Sequence, residues 1–224
     1  GSGDDARVAL LSENRPEWAL ADWACLTSGL ADVPIYPTLP AEQVPYLLND
    51  SGAMAIFVSS AAQAEKIAGI RQQAPGVRWV IAFDEAARAN ADLTLADVES
   101  RGAGVDTAAA AEAWEREARA VTPGDLATII YTSGTTGAPK GVMLTHDNFW
   151  SNVSATREIL PMGAEEVALS FLPLSHIFER TGDYWFFATG TSIAYVDSFD
   201  LVPICMQEVR PTIAMSVPRL YEKM

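Results

Sequence analysis

The chain has 224 residues, 49% of them apolar and 20% charged, with a formal net charge of -14 at pH 7. That length and apolar content suffice for a packed core in one large domain or two small ones. The acidic balance, with a pI near 4.4, excludes surface-electrostatic binding to nucleic acid or to an anionic membrane, since both polyanions would be repelled. Cys25 and Cys205 lie far apart with no CxxC pair, and the histidines do not cluster, so the pattern predicts two buried thiols in a reducing compartment and no metal site. The most apolar stretch, 184–196, is broken by Thr189, Gly190, Thr191 and Ser192 and is too short to cross a bilayer as a helix. No signal peptide is visible.

In chain order, Arg7 to Leu11 reads as a short buried strand, and Asn14-Arg15-Pro16-Glu17 as the turn that starts a helix over Trp18 to about Ser28, ended by Gly29. The same rhythm repeats. Val33 to Tyr36 is extended and Ala41 to Asn49 helical, Ala53 to Val58 is a strand and Ala61 to Gln73 helical, and Trp79 to Phe83 is a strand. Strands alternating with helices at this spacing predict an α/β fold of mostly parallel sheets flanked by helices. Asp84 to Thr122 is rich in alanine and charge and poor in large apolar residues, and reads as a solvated connector. Its helix over Ala108 to Ala120 places Glu112 with Arg116 and Glu115 with Arg119 at i,i+4, each pair worth about 0.2–0.5 kcal/mol.

Thr122-Pro123-Gly124-Asp125 turns the chain into an apolar strand, Leu126 to Ile130, and a second β-type run follows at Val142 to Leu144. Between them lies Tyr131-Thr132-Ser133-Gly134-Thr135-Thr136-Gly137-Ala138-Pro139-Lys140-Gly141, with three glycines, one lysine and four aliphatic hydroxyls. Glycines let main-chain N–H groups approach an anion, hydroxyls add donors, and the lysine adds positive charge, so the stretch reads as a phosphate cradle. It does not fit the GxxxxGK[ST] loop that leads into a helix: two residues separate Gly137 from Lys140, Gly141 follows the lysine, and Val142-Met143-Leu144 is a strand pattern. A loop between two strands that closes over a polyphosphate is the expected geometry. Beyond it, a helix over about Asp147 to Leu160, a strand Val167 to Leu172, a turn Pro173-Leu174-Ser175-His176, a helix through about Phe187, strands Ser192 to Val196 and Ile213 to Ser216 around a helix Leu201 to Val209, and a further helix begun by Pro218 complete the reading.

The T-S-G-T-T-G-x-P-K-G string resembles the phosphate loop of the adenylate-forming superfamily, which includes acyl-CoA synthetases, peptide-synthetase adenylation domains and luciferases. Leu11 to Trp18, Leu144 to Asn148 and Phe171-Leu172-Pro173-Leu174-Ser175-His176-Ile177-Phe178-Glu179-Arg180 are similar to segments of long-chain fatty acyl-CoA synthetases, and the likeness runs from about Val8 through nearly the whole chain. The resemblance implies an incomplete large N-terminal domain of that fold, with a first lobe at 1–121 and a second at 122–224 that carries the loop. It implies that Thr132, Ser133, Gly134, Thr135, Thr136, Gly137 and Lys140 hold ATP phosphates, and that His176 stands at the carboxylate site. His146 reads as a helix-capping or packing residue. Trp185, Phe186 and Phe187 read as core aromatics or, on the resemblance, as the lining of an acyl tunnel.

The implied activity is ATP- and Mg²⁺-dependent conversion of a long-chain fatty acid to acyl-AMP, then to a thioester with coenzyme A, by a cytoplasmic protein whose whole length can associate peripherally with membrane. A carrier-protein-loading acyl-AMP ligase or carboxylic acid reductase is the rival enzyme reading, and a folding or interaction module without nucleotide affinity the non-enzyme one. The family's aromatic-Gly-x-Thr-Glu motif, ribose-binding aspartate and C-terminal lysine domain do not occur here, so the 224-residue polypeptide alone is expected to be inert.

Overall fold

The structure is a computed structural model that describes residues 6–132 and 137–218. Two compact units are present: Gly1–Ser12 with Glu17–His146, and Glu13–Pro16 with Asp147–Met224.

In the first unit, β1 (Arg7–Leu11) leads to α1 (Pro16–Thr27), β2 (Ala31–Ile35), a 3-10 turn and α2 (Val44–Ser51), β3 (Ala53–Val58), α3 (Ala61–Ile70), and β4 (Trp79–Ala82). β1 sits between β2 and β3, parallel to both. Strands buried on both faces need near-continuous apolar sequence, and RVALL and AMAIFV supply it, with Leu10, Leu11, Ile56 and Val58 all at 1% exposure or less. Helix starts follow local chemistry: Ser60 caps α3 by accepting the Gln63 N–H at 3.4 Å.

The segment expected to be a solvated connector divides in two. Its first part joins the sheet: β5 (Leu93–Thr94) pairs with β4, Ala87 is buried, and Thr94 with Asp97 forms a capping box at the start of α4 (Leu95–Ala103). A two-residue strand leaves no periodicity to read, which is why it escapes the sequence pattern. Arg88 knits the region, pairing with Glu85 and with Asp97 at 2.9 Å. The second part, α5 (Ala108–Ala120), buries nothing and closes Glu115 to Arg119 at 2.7 Å, as a solvated helix should.

The chain then returns to the same sheet. β6 (Leu126–Thr132) pairs parallel with β2, and β7 (Lys140–Thr145) pairs antiparallel with β6, which gives the order β5-β4-β3-β1-β2-β6-β7. The ladder pairing of β2 with β6 runs through Asp32 opposite Thr128. Pro34, two positions further along β2, is paired with Leu10 of β1 and has no N–H to give to a neighbouring strand. The hairpin therefore packs with the first unit, and the chain passes to the second after His146.

The second unit contains α6 (His146–Ile159), β8 (Val167–Ser170), α7 (Ile177–Thr189), β9 (Ser192–Tyr195), α8 (Val202–Val209) and β10 (Ile213–Ala214). β8 lies between β10 and β9, parallel to both, over a small core of Leu169, Phe171, Leu172, Val196 and Val202. Gly190 ends α7 in the left-handed region at φ 77°, a conformation that suits glycine, and its N–H returns to the Phe186 and Phe187 carbonyls. Among the described residues every strand pair except β6 with β7 is parallel, as the strand-helix alternation predicts. The helix expected from Pro218 to the last residue falls largely outside the described residues.

Candidate functional site

Parallel α/β sheets present ligands at the carboxyl ends of their strands, and in each unit the candidate residues stand at such an end. In the first unit it is the end of β6. Thr132 closes the strand opposite Lys140, and both are exposed. Ser133, Gly134, Thr135 and Thr136 lie outside the described residues. Gly137 is exposed and has φ 141°, a backbone conformation that L side chains rarely adopt. Lys140 thus stands at one foot of the loop with Thr132 at the other, the strand-loop-strand arrangement expected from sequence.

Three further residues shape these feet. Gly141 lies opposite Tyr131, and a Cβ there would come within 2.7 Å of Ile129 Cγ2 and 3.3 Å of Tyr131 Cζ. On α2, Asp50 accepts the Tyr131 hydroxyl at 2.6 Å, and Tyr46, one helical turn earlier, donates its hydroxyl to the Pro139 carbonyl at 3.1 Å. The Tyr46 and Tyr131 rings also meet edge to face at 6.3 Å. Burial, with the Asp50 carboxylate beside it, pushes the Tyr131 phenol above its ordinary value, so it remains a neutral donor at neutral pH. Sequence reading marks Gly141 but not Tyr46 or Asp50. Their only signal is the i,i+4 spacing of a tyrosine and an acid on the polar face of α2.

A cleft of about 410 Å³ lined by Arg7, Gly29, Ala31, Val121, Asp125 and Leu126 among others opens at the amino ends of β1, β2 and β6. That is the opposite end of the strands from the loop.

In the second unit the site is the turn that leaves β8. Phe171, Leu172, Leu174 and Ser175 are buried, whereas His176 is exposed. His176 is the N-cap of α7, and its Nδ1 accepts the Phe178 N–H at 3.2 Å. An accepting Nδ1 leaves the proton of the neutral ring on Nε2, so the imidazole offers a donor outward, suited to a carboxylate. The capping role is thereby present together with an available Nε2. His146 opens α6 half-buried, with its N–H on the Asp125 carbonyl at 3.1 Å.

Glu179 and Arg180 are fully buried on α7. Arg180 Nε donates to the Tyr184 hydroxyl at 2.7 Å, and the guanidinium lies over the Phe149 ring at 5.3 Å. Glu179 Oε1 accepts the Phe171 N–H at 3.1 Å. Ser170 Oγ stands near this carboxyl without closing a hydrogen bond by geometry. Desolvation, then the nearby Asp183, raises the Glu179 pKa to about 8, with Ser170 and the Phe171 and Leu172 N–H groups opposing the rise. Trp185 and Phe186 are core aromatics, while Phe187 is 60% exposed. Cys25 is buried, Cys205 half-buried, and neither forms a disulfide.

Among the described residues no three His, Cys, Asp or Glu side chains gather where a metal ion could be held. No helix among them is long and apolar enough to cross a membrane.

Comparison with known proteins gives a consistent picture. A family model described as AMP-binding enzyme matches residues 1–224. The long-chain-fatty-acid–CoA ligase FadD15 of Mycobacterium bovis is 37% identical over 222 residues, which covers 97% of this chain and 35% of the relative. Long-chain-fatty-acid–CoA ligase 5 of Rattus norvegicus is 32% identical over 235 residues, covering 98% of this chain and 33% of the relative. The chain spans about a third of the length of these curated relatives. In fold it is similar to the inhibitor-bound N-terminal domain of FACL13 from Mycobacterium tuberculosis, with a TM-score of 0.75 at 23% identity over 99% of this chain and 52% of that one.

Proposed function

The chain belongs to the AMP-binding enzyme family, and from that premise we propose that the whole protein activates a long-chain fatty acid with ATP and transfers it to coenzyme A. A carboxylate oxygen attacks the α-phosphorus of ATP, forming acyl-AMP and releasing pyrophosphate. The coenzyme A thiol then attacks the acyl carbonyl and AMP departs. The observation that carries this reading is the hairpin β6–β7, whose strands bring Thr132 and Lys140 opposite each other at the base of a glycine- and hydroxyl-rich loop.

Charge that builds on pyrophosphate as it leaves needs donors already in place, and preorganised donors stabilise such charge more than mobile water does. Thr132, Ser133, Gly134, Thr135, Thr136, Gly137 and Lys140 are the residues of this chain assigned to that task. His176 Nε2 orients the acyl carboxylate. Magnesium bound with ATP would neutralise part of the triphosphate charge. The long acyl chain and the coenzyme A acceptor are carried over from what the relatives' names say they act on, at 37% and 32% identity. Cysteines that form no disulfide suit the reducing cytoplasm, and we place the whole protein there.

The test is acyl-dependent ATP–pyrophosphate exchange by the whole protein. Lys140→Ala is expected to lower kcat/KM for ATP by about a hundred-fold or more, the scale of a lost transition-state donor. Unchanged exchange would remove Lys140 from the site. Exchange supported by long-chain fatty acid, with thioester formed on coenzyme A but not on a carrier protein, separates this reading from the carrier-loading one.

A further inference from the structure

Between β8 and α7 the chain reverses within residues 171–176 while Phe171, Leu172, Leu174 and Ser175 remain at 3%, 6%, 1% and 2% exposure. Buried backbone groups in such a turn need partners from elsewhere. Two side chains provide them. Glu179 Oε1 accepts the Phe171 N–H at 3.1 Å. Asn14, 7% exposed, donates from Nδ2 to the Leu172 carbonyl at 2.7 Å and accepts the Leu174 N–H on Oδ1 at 3.0 Å. Its amide lies along the turn as an extra peptide group would, reaching back 158 and 160 positions in sequence.

A primary amide is needed at this place. Aspartate could accept from Leu174 but would set an acceptor against the Leu172 carbonyl, and an apolar side chain would do neither. From the held segment the path to the imidazole is short. The Pro173 carbonyl accepts the His176 N–H at 2.9 Å, and the His176 carbonyl accepts the Arg180 N–H at 3.3 Å. The imidazole is itself fixed on the Phe178 N–H.

We propose that Asn14, together with Glu179, is a positioning residue that fixes the turn bearing His176 and so sets where the imidazole meets the acyl carboxylate. The inference rests on the reading of His176 given under the proposed function. Asn14 neither touches substrate nor moves a proton; it acts through the backbone of Leu172 and Leu174.

The experiment is steady-state kinetics of the whole protein with Asn14→Asp, His176→Ala and the double variant. Asn14→Asp is expected to raise KM for the fatty acid about ten-fold while KM for ATP moves less than about two-fold. The double variant is expected to be no worse than His176→Ala alone, because nothing remains for the turn to position. Equal changes in both KM values, or additive losses in the double variant, would assign Asn14 to folding alone and overturn the proposal. Normal kinetics for Asn14→Asp beside an impaired His176→Ala would overturn it while leaving His176 in place. A His176→Ala variant with native KM for the fatty acid would overturn the reading of His176 and the inference with it. If the Asn14 variants do not fold, Glu179 carries the test: Glu179→Gln keeps the acceptor for Phe171 and is expected to recover most of the fatty-acid KM that Glu179→Ala loses. Equal loss in both would overturn the proposal.

Discussion

Glu179 is the residue whose physics is most directly measurable. It is fully buried, and its pKa rises from an ordinary 4.5 to about 8 chiefly by desolvation. A carboxyl whose folded pKa lies above its unfolded value favours the native state in its protonated form. That contribution is complete below about pH 4.5 and is lost as pH climbs through about 8. Each pH unit inside the window is worth about 1.4 kcal/mol at most. Glu179→Gln removes the linkage while keeping the shape and the acceptor for Phe171. Its unfolding midpoint, measured against the native chain, should therefore gain at least about 3 °C between pH 5.5 and 8.5, on the scale of about 2–4 °C per kcal/mol for this size. Parallel pH profiles for the two proteins would show that Glu179 does not titrate in this window. Gly141 makes a second, steric case: Ala there must displace Ile129 Cγ2 from 2.7 Å. Overpacking of that kind costs about 1–3 kcal/mol, so Gly141→Ala should lower the midpoint, and an unchanged midpoint would mean that the hairpin gives way freely.

Among elements, α2 links a piece of ordinary core to the loop. Val44, Leu47 and Leu48 face the core, and the opposite side presents Tyr46 to Pro139 and Asp50 to Tyr131. Each such hydrogen bond is worth about 0.5–1.5 kcal/mol. Replacing both α2 partners with Tyr46→Phe and Asp50→Ala should raise KM for ATP about three- to ten-fold in the whole protein, with the unfolding midpoint lowered by about 2–12 °C for the two bonds. A midpoint that falls sharply while KM is unchanged would assign the bonds to the fold instead of the loop. The same helix shows where sequence stops being informative. Its inward face is legible because burial imposes a period on Val44, Leu47 and Leu48, and strands such as Ala53–Val58 are legible because a doubly covered parallel sheet demands an unbroken apolar run. The two hairpin strands were legible from the apolar runs at 126–130 and 142–144 on either side of the glycine-rich stretch. Tyr46 and Asp50 were not, since an exposed polar face imposes no period. Asn14 was not, because its partners lie 158 and 160 positions away and one asparagine before a helix reads first as a local turn residue. β5 was not, because Leu93 and Thr94 are too few to alternate.

At the scale of the molecule, the two units each bring one candidate group to a strand's carboxyl end: Lys140 with Thr132 after β6, and His176 after β8. On the proposed reading the loop would hold phosphate and His176 the carboxylate, yet adenylate formation also needs the adenine, the ribose and the metal held in register, and catalytic groups that act as a unit lose far more than their share when others are missing. The chain spans about a third of its curated relatives. Its net charge of -14 further opposes capture of a free tetra-anionic nucleotide, so on the proposed reading binding would depend on the loop donors and Lys140 acting locally. The 224-residue polypeptide by itself should therefore support no measurable fatty-acid-dependent ATP–pyrophosphate exchange under conditions in which the whole protein turns over. Calorimetry with Mg-ATP on the same polypeptide separates a loop that binds weakly from one that does not bind, and Lys140→Ala should abolish any heat observed. Exchange by the isolated chain within about a hundred-fold of the whole protein's rate, a barrier difference of only about 2.7 kcal/mol, would mean that the loop and the turn suffice for the chemistry and that the remaining two thirds of its relatives' length serve other steps.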